Sequence, residues 1–99
     1  MNQKIKNKTE ALSASLSWTD HAWEDYEYWQ KTDPKKVKAI NKLLADCKRD
    51  PFTGLGKPEP LKGSMTGFWS RRIDHTHRLV YAFEDGRVYV IACCYHYTN

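Results

Sequence analysis

The sequence predicts an α+β domain in which two N-terminal helices pack on one face of a twisted antiparallel β-sheet. Apolar residues recur at helical spacing between residues 19 and 49, and they alternate with a period of two after residue 67. Short turns join the later segments, which favours antiparallel pairing. Because 99 residues leave room for only one modest core, we expect residues 15–99 to form a single domain.

The first part of the chain is predicted to contain a short strand and a helix. Residues 1–14 are basic and polar, and we interpret them as a flexible N-terminal extension. The alternation in residues 15–18 predicts the strand. Thr19 or Asp20 is a suitable N-cap for a helix that ends near Thr32. The predicted buried face of this helix contains Ala22, Tyr26 and Trp29.

A second helix is predicted directly after the first. Asp33 and Pro34 have the N-cap and first-turn proline of a helix that ends near Arg49, before Pro51. Its apolar stripe consists of Val37, Ile40, Leu43, Leu44 and Cys47.

Residues 51–67 are predicted to form a long loop, because they hold three of the four prolines and four of the five glycines. Loops of this length inside small domains are usually functional or disordered. We expect Phe52 and Leu61 to anchor it to the body of the domain.

Three strands are predicted after the loop, at residues 68–73, 77–83 and 87–95. Residues 74–76 form the first turn, and Asp85-Gly86 is a strong hairpin signal. The last segment is almost continuously apolar, which favours an interior position in the sheet.

Side-chain alternation divides these strands into two faces. The bulkier set is expected to contact the helices and consists of Trp69, Arg71, Ile73, His77, Leu79, Tyr81, Phe83, Tyr89, Ile91, Cys93, Tyr95 and Tyr97. The smaller set consists of Ser70, Arg72, Arg78, Val80, Ala82, Ala92, Cys94 and His96. We infer that this second face is concave and basic, provided that the strands agree in register.

The charge balance favours an anionic partner. The formal net charge is +4, from 16 Lys and Arg against 12 Asp and Glu. Residues 57–78 hold five Lys or Arg and only two acids, so we expect RNA to bind in this region. The chain length excludes multidomain enzymes, TIM barrels and full dinucleotide-binding folds.

The cysteines indicate a cytoplasmic protein with reduced thiols. They are Cys47, Cys93 and Cys94, and no CxxC spacing points to a metal site. Adjacent strand residues point to opposite faces, so we do not expect a disulfide between Cys93 and Cys94. The sequence has neither an apolar run of the ~18 residues that a membrane span needs nor the apolar segment of a signal peptide.

The basic face suits metal-independent RNA cleavage. This reaction needs a base for the ribose 2′-hydroxyl, a cation for the charge that develops on phosphorus, and an acid for the departing 5′-oxygen. Arg72 and Arg78 can bind phosphate bidentately, and His96 can donate or accept a proton near neutral pH. Glu59, held between two prolines, is the only carboxylate of residues 51–99 with a setting outside a turn.

Each of these residues also has an ordinary interpretation. Glu59 is consistent with a solvated loop residue, Arg78 with a surface or ion-pair residue, and Arg71-Arg72 with a solvated edge. A C-terminal histidine such as His96 is uninformative alone. The aromatic residues of the first helix are more typical of core or partner contacts than of base stacking. The residues by themselves therefore leave a nuclease and an ordinary surface both open.

Five blocks of sequence carry a family resemblance. They are residues 25–30 (DYEYWQ), 57–62 (KPEPLK), 67–73 (GFWSRRI), 77–81 (HRLVY) and 95–97 (YHY). With these blocks in this order over about residues 16–97, the chain resembles the YoeB (Txe) toxins of the RelE-like superfamily of bacterial toxin–antitoxin systems. The resemblance implies a RelE-like α+β fold similar to that of small microbial ribonucleases.

The resemblance also implies an activity and roles for individual residues. The activity is that of an endoribonuclease (mRNA interferase) that cuts mRNA in the ribosomal A site, with no metal or other cofactor. Matched by motif, Glu59 is the general base, His96 the general acid and Arg78 the arginine of the transition state. Further positions that line the site or hold RNA are matched by Lys62, Arg72 and Tyr97.

The resemblance implies several partners. They are a cognate YefM-like antitoxin whose disordered tail folds onto the toxin, the ribosome and its mRNA, a second copy in a homodimer, and operator DNA bound through the antitoxin complex. No membrane partner is expected. Two alternatives remain, a gyrase poison on the same fold and a non-cleaving RNA- or antitoxin-binding module. The joint presence of Glu59, Arg78 and His96 argues against the gyrase poison.

The chain departs from the family pattern in three places. Family members usually begin near residue 16 and often end at the tyrosine that matches Tyr97, whereas this chain has residues 1–14 before and Thr98-Asn99 after. The turn at residues 74–76 is less acidic than expected. His75 in that turn is therefore a second candidate for phosphate contact.

Overall fold

The structure is a computed structural model that describes residues 14–95. Its strands are β1 (Ser15–Trp18), β2 (Glu59–Pro60), β3 (Trp69–Arg72), β4 (Arg78–Glu84) and β5 (Arg87–Ala92), and its helices are α1 (Asp20–Thr32) and α2 (Pro34–Arg49). The strands form one sheet in the order β1-β5-β4-β3-β2. The predicted α+β class, with a helix pair on a sheet, is confirmed. The predicted extension lies outside the described residues except for Ala14.

Both helices begin and end where the sequence predicts. The Thr19 hydroxyl accepts a hydrogen bond from the backbone N–H of Ala22 at 3.0 Å and caps α1. The Asp33 carboxylate accepts from the N–H of Lys35 and caps α2, whose first residue is Pro34. Because Asp33 also ends α1, a single residue separates the two helices, and this short link packs them as neighbours.

The sheet is mixed rather than fully antiparallel. β1 pairs in parallel with β5, from Ser15 opposite Arg87 to Trp18 opposite Val90, while the other pairs are antiparallel. Short turns impose antiparallel pairing on β4 and β5, but no turn connects β1 to β5. The direction of β1 therefore depends on tertiary packing. The predicted interior position of β5 is confirmed.

The segment predicted as a long loop contains short regular structure. Glu59–Pro60 forms β2 at the sheet edge, where a proline costs no ladder hydrogen bond on its solvent side. A single 3₁₀ turn follows at Gly63–Met65. Phe52 anchors the segment as predicted, because the centroid of its ring lies 4.9 Å from that of the Trp69 ring. The backbone N–H of Leu61 donates to the carbonyl of Phe68.

A β-bulge at Ile91 corrects the predicted face of Tyr89. Val80 pairs with Ala92 and Tyr81 pairs with Val90, which leaves Ile91 without a partner in the ladder. Tyr89 pairs with Ala82, so it lies on the face away from the helices and not with the helix-facing set. The bulge shifts the alternation by one residue, which strict parity cannot anticipate.

The core lies between the helix pair and the sheet. Residues from both layers are buried there: Ala22, Trp29, Ile40, Leu43, Leu44, Cys47, Leu79, Tyr81, Val88, Val90 and Cys93. They include most of the predicted stripe of α2. Within the described residues, neither helix combines the length and apolarity needed to cross a membrane.

Candidate active site

The strand register brings one acid and two arginines onto the sheet face opposite the helices. Glu59 pairs with Ser70, and Ser70 pairs with Val80. Directly paired residues of antiparallel strands point to the same side. Arg72 lies two residues beyond Ser70 and pairs with Arg78. Glu59, Arg72 and Arg78 therefore share one face, which we call the Glu59–Arg78 face.

Small side chains form the base of the Glu59–Arg78 face. Ser70, Val80 and Ala92 continue one row across β3, β4 and β5, and they are 4%, 1% and 0% exposed. Glu59 and Arg72 are diagonal neighbours on this ladder, a relationship in which residues lie about 7–8 Å apart. β2 and β4 are roughly 10 Å apart, two strand spacings. A phosphate group fits between side chains at these separations.

Backbone carbonyls, rather than a carboxylate, hold the guanidinium of Arg78. Its Nη1 donates to the carbonyl of Asp74 at 2.8 Å and to the carbonyl of His77 at 3.2 Å. Among residues 14–95, no acidic side chain forms an ion pair with Arg78, Arg72 or Lys62. Their positive charge is therefore available for an anion.

Asp74 organises the turn beside Arg78. Its Oδ1 accepts from the N–H groups of Thr76 and His77, and its Oδ2 lies 2.6 Å from Nζ of Lys36. Partial burial raises the pKa of the Asp74 carboxyl, but the hydrogen bonds from Lys36, His77 and Thr76 outweigh this and lower it to about 2. Because Lys36 neutralises Asp74, the acid takes little positive charge from Arg78.

An open pocket of about 460 Å³ lies next to this turn. It is lined by Arg72, Asp74, His75 and Arg78. With Asp74 neutralised by Lys36, the two arginines dominate its charge. The pocket adjoins the Glu59–Arg78 face, and its lining includes His75, the second candidate for phosphate contact.

Arg71 is buried, unlike its sequence neighbour Arg72. It is 0% exposed, and all five of its N–H donors find acceptors. The acceptors are the Asp46 carboxylate, the Tyr81 hydroxyl and the carbonyls of Asp50, Thr53 and Leu55, at 2.6–3.2 Å. The helix-facing position predicted for Arg71 is confirmed, and the alternative of a solvated edge at Arg71-Arg72 is wrong for Arg71.

The Arg71 cluster fixes the segment that leads to Glu59. The backbone N–H of Leu55 donates to Asp46, and the N–H of Arg72 donates to the carbonyl of Gly56 at 2.7 Å. Gly56 has φ +77°, and a Cβ there would lie 2.8 Å from a Leu43 methyl. Only glycine fits this approach without displacing a neighbour. These contacts fix the backbone as far as Gly56, three residues before Glu59.

Four of the six predicted site residues lie in the described part of the chain. The register brings together Glu59, Arg72 and Arg78. Lys62 is exposed just after β2, where no strand pairing sets its direction. His96 and Tyr97 lie outside the described residues. Tyr95, the residue before His96, accepts a hydrogen bond from the backbone N–H of Arg78 at 2.8 Å.

Sequence reasoning missed two supporting residues, Asp74 and His77. Asp74 was visible as a turn acid, but its ion pair with Lys36 joins residues 38 positions apart and has no local signal. For His77, the sequence predicts only a helix-facing position. Its contacts with Trp29 and Tyr95 also depend on tertiary structure.

Comparisons with known proteins identify relatives of the chain. The family model for a YoeB-like toxin of bacterial type II toxin–antitoxin systems matches residues 18–97. The toxin YoeB of Escherichia coli strain K12 is 56% identical over 82 residues, which cover 83% of this chain and 98% of the relative.

Solved structures agree with the sequence matches. The YoeB dimer from Staphylococcus aureus has a TM-score of 0.80 and 45% identity, with 86% of this chain and 99% of that chain covered. A YoeB–YefM complex from the same species has a TM-score of 0.78 and 45% identity, covering 85% of this chain and 98% of that chain.

Proposed function

Because the chain belongs to the YoeB-like toxins of bacterial type II toxin–antitoxin systems, we propose that it is an endoribonuclease that cuts ribosome-bound mRNA. The observation that carries this proposal is the shared face of Glu59, Arg72 and Arg78, set by the register of β2, β3 and β4. A carboxylate opposite two unneutralised guanidinium groups is the arrangement that 2′-hydroxyl attack on a phosphodiester requires.

The reaction proceeds by general acid–base catalysis. Glu59 takes the proton of the ribose 2′-hydroxyl, and the 2′-oxygen forms a bond to phosphorus. Arg78 stabilises the negative charge on the non-bridging oxygens. The bond from phosphorus to the 5′-oxygen then breaks, and His96 gives its proton to that oxygen. The products are a 2′,3′-cyclic phosphate, which water opens to a 3′-phosphate, and a 5′-hydroxyl.

The remaining residues bind the RNA. Arg72 faces Arg78 across the ladder and can bind the same phosphate or its neighbour through a bidentate fork. Lys62 and Tyr97 contact the RNA strand, and the pocket beside His75 receives a further phosphate. No metal is required, because a base, an acid and a cation come from side chains.

The partners follow from the family and from the named assemblies of relatives. Staphylococcus aureus YoeB forms a dimer and a complex with YefM. By analogy, this chain forms a homodimer and is neutralised by a YefM-like antitoxin, and the complex binds operator DNA. Its action on ribosomes makes the cytoplasm its site of action. Residues 15–99 act as the toxin domain, with residues 1–14 as an extension.

Mapping RNA ends on programmed ribosomes tests the proposed activity. The full chain is added to ribosomes with a defined codon in the A site, and new 5′-ends are located by primer extension. Cuts within the A-site codon with 5′-hydroxyl ends are expected. DNA breaks in the presence of gyrase without mRNA cuts would establish the gyrase alternative. Salt-dependent RNA binding without any cut would establish a binding module.

A further inference from the structure

His77 contacts the last described residue of the chain through its ring nitrogen. Its Nδ1 accepts a hydrogen bond from the backbone N–H of Tyr95 at 2.6 Å. Because a backbone amide can only donate, Nδ1 is the acceptor of this hydrogen bond. Its ring packs nearly perpendicular to that of Trp29 at 4.7 Å and tilted against that of Tyr95 at 5.2 Å, measured between ring centroids. Rotation of the imidazole is therefore restricted.

Tyr95 has a backbone conformation that needs such support. Its φ is +62°, in the left-handed region that non-glycine residues seldom adopt. Such conformations persist only where surrounding contacts enforce them, and they concentrate at functional sites. Two contacts hold Tyr95, the bond from its N–H to His77 and the bond from the Arg78 N–H to its carbonyl.

Helix α1 holds the chain two residues earlier. The backbone N–H of Cys93 donates to the Asp25 carboxylate at 2.9 Å, and Nε1 of Trp29 donates to the Cys93 carbonyl at 2.8 Å. These bonds fix the end of β5 but not the direction in which the chain leaves it. That direction is set at Tyr95, one peptide bond before His96.

We propose that His77 is a positioning residue for the general acid, an inference that rests on the proposed function. Its Nδ1 holds the strained backbone of Tyr95, the residue that directly precedes His96 in the sequence. The turn of Asp74 supports both sides of this arrangement, because Oδ1 of Asp74 accepts from the N–H of His77 at 2.7 Å and its carbonyl accepts from Arg78. The transition-state cation and the backbone that leads to the acid thus share one support.

Two substitutions distinguish the contribution of the hydrogen-bond acceptor of His77 from that of its aromatic ring. His77→Phe keeps a ring against Trp29 and loses the acceptor. His77→Asn loses the ring and keeps a side-chain oxygen close to the position of Nδ1. If His77 acts through its hydrogen bond to Tyr95, the Phe variant is defective and the Asn variant is active. If His77 only fills space, the order is reversed.

The leaving group reports on the proton that His96 donates. The two variants and wild type are compared on programmed ribosomes with ordinary mRNA and with mRNA that carries sulfur in place of the 5′-oxygen at the mapped cut. A thiolate departs without a proton, because the pKa of a thiol is about 8.5 and that of an alcohol is far higher. The sulfur substrate therefore removes the need for the general acid.

On ordinary mRNA, we expect His77→Phe to cleave about 100-fold more slowly than wild type, the size of effect caused by small misplacement of a catalytic group. His77→Asn should stay within about threefold of wild type, since an amide oxygen replaces the ring acceptor. On the sulfur substrate, all three proteins should cleave at similar rates. Equal rates of His77→Phe and wild type on ordinary mRNA would overturn the inference.

A defect of His77→Phe that is equally large on both substrates would also overturn it, because a folding or packing defect does not depend on the leaving group. Thermal unfolding of both variants identifies such a defect directly. Glu59→Gln is the control for the base, and its defect should persist on the sulfur substrate. If wild type cuts neither substrate, the proposed function fails and the inference falls with it, a result distinct from failure of His77 alone.

Discussion

Arg72 and Arg78 are direct partners in the antiparallel ladder of β3 and β4, so two positive side chains face each other across the sheet. Like charges in this relationship destabilise a strand pair. Within residues 14–95, neither arginine has an acidic partner that would relieve the repulsion. Under the proposed function, a phosphate bound between the two guanidinium groups relieves this repulsion, and the pair binds RNA at the expense of stability.

Replacing Arg72 should therefore affect stability and activity in opposite directions. In Arg72→Gln, the loss of repulsion should leave the midpoint of thermal unfolding unchanged or raised. Cleavage should fall by about 10- to 100-fold, the equivalent of one hydrogen bond to a charged group. Arg72→Lys is the matched control, because it keeps the charge and should not raise the midpoint. A clear drop in the midpoint of Arg72→Gln would show that Arg72 is structural.

The Arg71 cluster should dominate the stability of the segment before Glu59. Asp46→Ala removes the carboxylate partner of a buried guanidinium and should lower the free energy of unfolding by about 3–5 kcal/mol. Urea unfolding measures this change. Glu24→Ala, on the exposed side of α1, should change it by less than about 0.5 kcal/mol. A similarly small effect of Asp46→Ala would contradict a stabilising role for the cluster.

Acid should destabilise the protein through two carboxyls. Hydrogen bonds from the Leu55 N–H, Arg49 and Arg71 lower the pKa of Asp46 from 3.8 to about 2, and the pKa of Asp74 is also lowered to about 2. A carboxyl with a lower pKa in the folded state stabilises the fold above its unfolded pKa. This contribution should be complete above about pH 5 and should disappear as the pH falls toward 2.

Urea unfolding between pH 2.5 and pH 6, about the range over which the two carboxyls titrate, measures this dependence. The free energy of unfolding of wild type should fall steeply as the pH decreases. Asp74→Asn should be less stable than wild type at pH 6 and should show a shallower pH dependence. An unchanged slope in Asp74→Asn would mean that Asp74 carries no such linkage.

We expect Lys62 to bind RNA phosphate through its charge and to take no part in proton transfer. Lys62→Ala should weaken toxin binding to single-stranded RNA, and the slope of log K against log salt should decrease in magnitude by about 0.7, the value for one phosphate contact. Lys38→Ala is the control, because Lys38 is an exposed residue of α2, and it should leave the slope unchanged. A salt slope of Lys62→Ala equal to that of wild type would remove Lys62 from the RNA path.

The features predicted from sequence are those encoded within a few residues. Thr19, Asp33 and Pro34 mark the helix ends because caps act on neighbouring backbone groups. Alternation also predicted the face of Arg72 and Arg78, since β3 and β4 are joined by a short turn. The family resemblance supplied roles for the site residues that composition and spacing alone left open.

The features not predicted depend on distant contacts. The parallel direction of β1 has no local signal in the sequence. The bulge at Ile91 has none either, because it lies in a run of apolar residues whose pattern does not show where the alternation shifts. Glu59 reaches the face of Arg78 only because β2 pairs with β3, and the proline and glycine content of the segment concealed that strand. Burial of Arg71 likewise requires acceptors from α2 and the loop.

The central claim is that the Glu59–Arg78 face performs the cleavage, and one comparison of two arginines tests it most directly. Single-turnover cleavage of ribosome-bound mRNA is measured for Arg78→Ala and for Arg87→Ala, a strand arginine at the start of β5. Arg78→Ala should be slower by about 100- to 1,000-fold, as expected for loss of a group that stabilises developing charge. Arg87→Ala should cleave like wild type. If Arg78→Ala also cleaves like wild type, the reaction does not occur on this face.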